Sequence, residues 1–221
     1  MSINFRKYLF LILSLLAVEL FAQDIDPNIV LDSAQNKVQI VKSYSADAII
    51  EIDIDFLKMQ PKEAKINYEY PNKLDIETKG FSMIPKYGLR PFMRTIAKED
   101  NIAIFSGREE VDGKTCYVIK LIPRADGKVI MIKLWIRIDD YLVARSETFT
   151  RRSGSFLIDF SYDNLVLPSS LVFSFESRGI NIPWKFIGNS IEFDKDKMKE
   201  NEIKVGKVFI NFSNYQVTYT D

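Results

Sequence analysis

The sequence predicts a mainly β, α+β fold: a curled antiparallel sheet, or incomplete β-barrel, with an N-terminal helix and a short helical lid over its concave apolar face. Apolar and polar residues alternate with a period of two along about nine or ten segments. Short links such as ADGK and RSG join most of them, which favours antiparallel neighbours. One N-terminal segment has the spacing of an amphipathic helix.

Residues 1–22 have the pattern of a cleaved secretory signal peptide. Arg6 and Lys7 precede a short apolar run, and the small Ala22 provides a cleavage site. The run is too short to cross a membrane, and an acidic residue interrupts it. We therefore expect export to the periplasm and one lipid-binding domain over residues 23–221.

The mature chain is expected to begin with a helix over residues 26–44. Asp26 precedes Pro27, a pairing typical of an N-cap and a first helical residue. After the helix the period changes to two, and one face of the first strand carries Ala48, Ile50, Ile52, Ile54 and Phe56.

The next strands form a predicted hairpin around Pro71-Asn72, AKINYEY followed by KLDIET. The irregular segment 81–98 follows and contains a possible short helix that begins at Pro91. From Asn101 the strands resume in consecutive order, which predicts a meander. In VIMIKLWIRID the alternation places one apolar row on a single face, namely Ile130, Ile132, Leu134, Ile136 and Ile138.

Four phenylalanines, Phe156, Phe160, Phe173 and Phe175, are predicted to project from the same side of two neighbouring strands. A one-sided sheet must bury its apolar face, and two helical pieces are too small to cover so broad a face. A residual apolar cavity for acyl chains is one interpretation. Filling of the same space by large side chains is the other, and the pattern leaves both open.

The composition argues against several classes of function. The 30 basic residues balance the 30 acidic ones in a chain of 221, so no basic face for nucleic acid is expected. There is no histidine, and the single cysteine, Cys116, lies in a strand-like run where a small buried residue is expected. The acidic row Glu51, Asp53 and Asp55 is typical of a solvated strand face. We therefore expect no enzyme, no metal and no cofactor.

The order of elements and several segments resemble the periplasmic lipoprotein carriers of the LolA/LolB superfamily. The resemblance rests on LWIRIDDYLVARSETFTRRSGSFLIDFSYDN and LPSSLVFSFE, on INYEYPNKLDIE as the strand–Pro-Asn–strand element, and on GLRPFMRTIA as the lid. It implies a soluble carrier that moves lipoprotein acyl chains or lipid towards the outer membrane without covalent chemistry. It also implies an inner-membrane release complex and an outer-membrane receptor as partners, and we expect a monomer.

The chain departs from the carriers at Tyr70, where the family has an arginine that holds the lid closed. A tyrosine donates one hydrogen bond and lacks the forked guanidinium. The hairpin that the family shows before the lid is also reduced here to TKGFSMIPKYG. A periplasmic sensor or interaction module that reuses the same fold is therefore the alternative function.

The candidate ligand-binding residues share the predicted concave face and lid. Each one taken alone is more often core than ligand contact, and the lid methionines are the better candidates because methionine adapts to varied chains. The set is Ile50, Ile52, Ile54, Tyr68, Tyr70, Ile76, Met83, Phe92, Met93, Leu134, Ile136, Phe156, Phe160, Phe173 and Phe175.

Overall fold

One helix and twelve strands of a single sheet make up the part of the chain that the structure, a computed structural model, describes. Those residues are 25–54, 57–58, 60–71, 73–78, 101–124, 127–151, 155–177, 192–193 and 204–220. The elements are α1 (Pro27–Gln39), β1 (Val41–Ile54), β2 (Leu57–Lys58), β3 (Lys62–Glu69), β4 (Lys73–Thr78), β5 (Asn101–Val111), β6 (Lys114–Pro123), β7 (Val129–Arg137), β8 (Val143–Thr150), β9 (Ser155–Ser161), β10 (Ser170–Ser177), β11 (Glu192–Phe193) and β12 (Lys204–Tyr219).

The helix α1 begins as predicted but ends earlier. The Asp26 carboxylate accepts a hydrogen bond from the backbone N–H of Asn28 at 2.8 Å, as an N-cap does. Residues 41–44, predicted as helix, belong to β1, because β1 finds strand partners on both sides, in β3 and β12. Two sets of ladder hydrogen bonds outweigh the weak helical pattern at this point.

All sheet pairings described are antiparallel, and the strand order is β11-β2-β1-β12-β10-β9-β8-β7-β6-β5, with β3 and β4 added beside β1. The predicted meander is confirmed from β5 to β10. β12 continues it by pairing with β10 and pairs on its other side with β1, while β4 and β5 lie on opposite sides of the sheet. Among the described strands β5 pairs only with β6, so the sheet is not closed into a barrel.

The concave face of the sheet and α1 enclose the main core. Three apolar residues of α1, Val30, Ala34 and Val38, are buried in it with residues of eight strands. The alternation of β1 is confirmed, since Ala48, Ile50 and Ile52 are buried and the residues between them are exposed. The side chain of Ile54 and all of Phe56 lie outside the described residues, as do residues 1–22 and the segment 81–98.

The predicted apolar row of β7 is only partly correct. Ile132, Leu134 and Ile136 are buried in the main core, but Ile130 is 49% exposed. A register shift between Val129 and Met131 reverses the alternation at the start of the strand, so Val129 packs against the core instead. Among the described residues, no helix combines the length and the apolar character needed to cross a membrane.

Candidate functional site

The candidate site is the concave face where β9, β10 and β12 lie side by side. Strand register places Phe156 opposite Phe175 and Phe160 opposite Leu171. Residues directly opposite each other in an antiparallel pair project from the same face. The prediction that the four phenylalanines share one side is therefore confirmed, since all of them belong to or pack against the main core.

Three of these phenylalanines form a continuous aromatic cluster, which we define as Phe156, Phe173 and Phe175. The ring centroids of Phe156 and Phe173 are 5.4 Å apart, and those of Phe173 and Phe175 are 5.6 Å apart. Both distances lie in the range of favourable aromatic pairs. All three side chains are only half-buried, whereas Phe160 is 6% exposed. The aromatic cluster is thus one part of the concave face that retains accessible apolar surface.

The aromatic cluster rests on a glycine of the neighbouring strand. Gly206 of β12 lies opposite Phe175, and a Cβ built on Gly206 would be 2.5 Å from Cζ of the Phe175 ring. Real Cβ atoms do not approach a ring so closely, so the lack of a side chain at Gly206 provides the space for the ring. The β-strand interior glycine therefore has a packing role.

The other predicted site residues on the concave face form the base of the core. Ile50, Leu134 and Ile136 are fully buried, and Ile52 and Tyr68 are nearly so. Their side chains make core contacts, and their role as ligand contacts stays a prediction.

The remaining predicted residues are placed differently. Ile76 on β4 is half-buried against the core. Tyr70 is 56% exposed, and its backbone N–H donates to the carbonyl of Lys42 at 2.9 Å. The lid residues Met83, Phe92 and Met93 lie outside the described residues, so the lid and its contact with Tyr70 stay predictions.

Two polar side chains that the sequence did not single out lie within the apolar concave face. Ser146 and Thr148 of β8 are 1% and 5% exposed. Ser146 lies between Leu134 and Ile158, and its hydroxyl has no hydrogen-bond partner in the described part of the chain. Leaving a buried hydroxyl unpaired costs about 1–3 kcal/mol. The two residues could have been found from the sequence as a serine and a threonine at inward-facing positions of a predicted strand.

A second aromatic group lies on the concave face where β1, β3 and β12 are neighbours. The Tyr44 ring stands 5.6 Å from the rings of both Tyr68 and Tyr215. The Tyr215 hydroxyl donates to the carbonyl of Pro168 at 2.8 Å. Burial raises the pKa of Tyr44 and Tyr215, so both remain neutral hydrogen-bond donors across the physiological range.

The turn between β7 and β8 is held by an ion pair. The guanidinium of Arg137 donates through Nε to Asp140 at 2.8 Å and through its second arm to the other carboxylate oxygen. It also stands 5.1 Å from the Tyr162 ring. Burial opposes ionisation of Asp140, but hydrogen bonds from Arg137 and the N–H of Leu142 outweigh it and lower its pKa. The charges of Arg137 and Asp140 are paired with each other, so we assign this arrangement a structural role.

Two open grooves, of about 880 and 550 Å³, lie mainly on the convex side of β1, β3, β4 and β12. Charged side chains line both, for example Glu63, Lys65 and Glu77 in the larger one and Glu69 and Lys73 in the smaller one. Such linings do not suit an acyl chain. In the described ranges, no group of three or more potential metal-ligating acidic or cysteine side chains is present.

Two solved structures resemble this chain over most of both lengths. A DUF1329 family protein from Desulfovibrio piger is 13% identical, with a TM-score of 0.53 and coverage of 87% of this chain and 94% of that one. A LolA superfamily protein from Nitrosomonas europaea is 9% identical, with a TM-score of 0.53 and coverage of 89% and 96%. No family model matches the sequence, and no curated protein matches it. Identities this low show the fold alone, and the LolA-like fold predicted from the sequence is confirmed at that level.

Proposed function

We propose that this protein is an exported carrier that binds the acyl chains of lipoproteins or lipids against its concave face and moves them towards the outer membrane. The observation that carries the proposal is the half-buried aromatic cluster on the apolar concave face. Large half-buried rings at the edge of a core are suitable contacts for a flexible apolar chain. The LolA-like fold is consistent with this role.

The energetics of such binding need no covalent step. Each buried CH2 group of an acyl chain contributes about 0.8 kcal/mol, so a single long chain supplies enough free energy to be held in water. Reversible loading requires only that the protein alternate between two conformations of different affinity. The proposal therefore assigns no catalytic residue, no metal and no cofactor, and it includes cleavage of the predicted signal peptide and residence in the periplasm.

The first experiment asks whether the native protein carries lipid. Protein purified from the periplasm without detergent is extracted with organic solvent, and the extract is analysed by mass spectrometry. In parallel, the delipidated protein is titrated with the fluorescent fatty acid cis-parinaric acid. We expect acyl chains in the extract and saturable uptake of the probe. Absence of both would overturn the proposal.

A matched pair of variants places the binding surface. Met93→Asp puts a charge on the predicted lid and is expected to reduce uptake of cis-parinaric acid at least tenfold while leaving the unfolding transition unchanged. Ile49→Asp makes the same kind of change on the convex face, where Ile49 is 47% exposed, and should leave uptake unchanged. Equal loss of uptake in both variants would contradict the assignment to the concave side.

The alternative function predicts a different result in the same preparation. If the fold serves a sensor, cross-linking in the periplasm recovers a stable protein partner whether or not the solvent extract contains lipid. A stable partner together with a lipid-free extract would overturn the carrier proposal in favour of the interaction module.

A further inference from the structure

We propose that Ser146 and Thr148 form a polar subsite that recognises the ester carbonyl of a bound acyl chain. This inference rests on the proposed function and names the part of the ligand that the site reads. It starts from the two buried hydroxyls of β8, which interrupt a face that is otherwise apolar.

The first step is the position of the Ser146 hydroxyl. Strand register sets Ser146 opposite Leu134 on β7 and Ile158 on β9, which are 0% and 1% exposed. Its hydroxyl thus lies on the concave side, and in the described part of the chain it has no hydrogen-bond partner. Folding alone does not account for it, because alanine would fill nearly the same space without an unpaired polar group.

The second step is the position of the two hydroxyls relative to the aromatic cluster on the neighbouring strands. Thr148 lies directly opposite Phe156, and Ile158, the β9 neighbour of Ser146, lies opposite Phe173. Thr148 is therefore one strand away from the half-buried ring of Phe156, and Ser146 is two strands away from that of Phe173. A ligand that displaces the rings of Phe156 and Phe173 would lie beside Thr148, which is opposite Phe156, and on the same face of the sheet as Ser146.

The third step is the chemistry of recognition. A serine or threonine hydroxyl donates one hydrogen bond, and the first oxygen that an esterified acyl chain presents is its carbonyl, an acceptor. Neither hydroxyl carries a charge, so the subsite favours a neutral ester over an ionised carboxylate, whose desolvation would be uncompensated. The ligand class that fits is a glycerol-linked acyl ester.

The test compares two lipids that differ only in the carbonyl. Dipalmitoylglycerol and its diether analogue dihexadecylglycerol compete with cis-parinaric acid for the protein. We expect the wild type to bind the diester roughly three- to tenfold more tightly than the diether, the value of one hydrogen bond. Ser146→Ala should remove that preference by weakening the diester alone, and Thr148→Val should reduce it.

Controls separate recognition from folding. Ser146→Ala should unfold at the same or a higher urea concentration than the wild type, because it removes an unpaired buried hydroxyl. Ser161→Ala, at an exposed position of β9, should keep the full preference. Equal affinity of the wild type for diester and diether, or equal loss of both lipids in Ser146→Ala, would overturn the subsite and leave the carrier proposal standing. If neither the two lipids nor the fatty-acid probe binds, the subsite and the carrier proposal are both overturned.

Discussion

The ring of Phe175 on β10 occupies the space above Gly206 on β12, where a Cβ would come within 2.5 Å of the ring carbon Cζ. The half-buried Phe175 side chain is thus placed by packing between its own strand and the neighbouring strand β12. The Phe175 ring in turn stands 5.6 Å from Phe173. The position of the aromatic cluster therefore depends on a residue that has no side chain.

Gly206→Ala should push the Phe175 ring out of its place. Because the surrounding strands are packed, we expect a loss of about 1–3 kcal/mol in the free energy of unfolding. Urea unfolding followed by circular dichroism measures this loss. The titration with cis-parinaric acid should change in the same variant, since the displaced ring belongs to the proposed binding surface.

A double-mutant cycle tests whether the two residues act through each other. Phe175→Ala removes the ring that Gly206→Ala would displace. The loss in unfolding free energy caused by Gly206→Ala should therefore be at least about 0.5 kcal/mol smaller in the Phe175→Ala background than in the wild type, the lower limit of coupling typical of residues in contact. Strict additivity of the two substitutions would show that the effect of Gly206 has another origin.

Much of the sheet could be predicted because burial on one face imposes a period of two. The inward rows of β1, β3, β9 and β10 follow from alternation alone, and the sharing of one side by Phe156 and Phe175 follows once the two strands pair without a bulge. The N-cap at Asp26 was equally local in origin. Features that depend only on residues close together in the chain can be predicted from a single sequence most directly.

The rest could not be predicted because it depends on partners distant in the chain. The pairing of β12 with β1 converts the end of the predicted helix to strand and separates β4 from β5. The bulge before Met131 reverses the direction of Ile130. On the convex side, Trp135 is 5% exposed and packs in a small cluster with Cys116 and Val118. None of these features has a sequence pattern of its own.

Asp140→Asn should destabilise the turn between β7 and β8. The substitution removes the charge that receives the forked donor of Arg137, and a loss of about 1–2 kcal/mol is expected at neutral pH. Asp139→Asn is the matched control, since Asp139 is the exposed neighbour in the same turn and should change stability by less than about 0.5 kcal/mol. Urea unfolding of both variants decides, and equal losses would contradict the structural role of the Arg137 pair.

Cys116 should be inert towards thiol reagents in the folded protein. Its side chain is fully buried on the convex side, and burial raises the pKa of the thiol, which lowers the fraction of reactive thiolate. Because it is the single cysteine of the chain, reaction with Ellman's reagent reports on this site alone. We expect negligible reaction in native buffer and one equivalent in concentrated urea. Rapid labelling of the native protein would show that the small buried cluster on the convex side, which contains Cys116, Val118 and Trp135, opens.

Glu109 should make the stability of the convex cluster depend on acid pH. The indole N–H of Trp135 donates to its carboxylate at 2.7 Å and the Lys133 ammonium at 3.1 Å, and these hydrogen bonds lower the pKa of Glu109. A carboxyl whose pKa is lower in the folded state stabilises the protein above its unfolded pKa, near 4.5. That contribution is lost as the pH falls through the lower, folded pKa.

The comparison of wild type with Glu109→Gln isolates this contribution. The wild type should be the more stable protein at neutral pH, and the difference in unfolding free energy should shrink as the pH falls below about 4.5. Glu110→Gln changes the exposed neighbour on β5 and should show no such trend. A Glu109→Gln difference that stays constant from neutral to acid pH would mean that the ionised carboxylate does not stabilise the Trp135 contact.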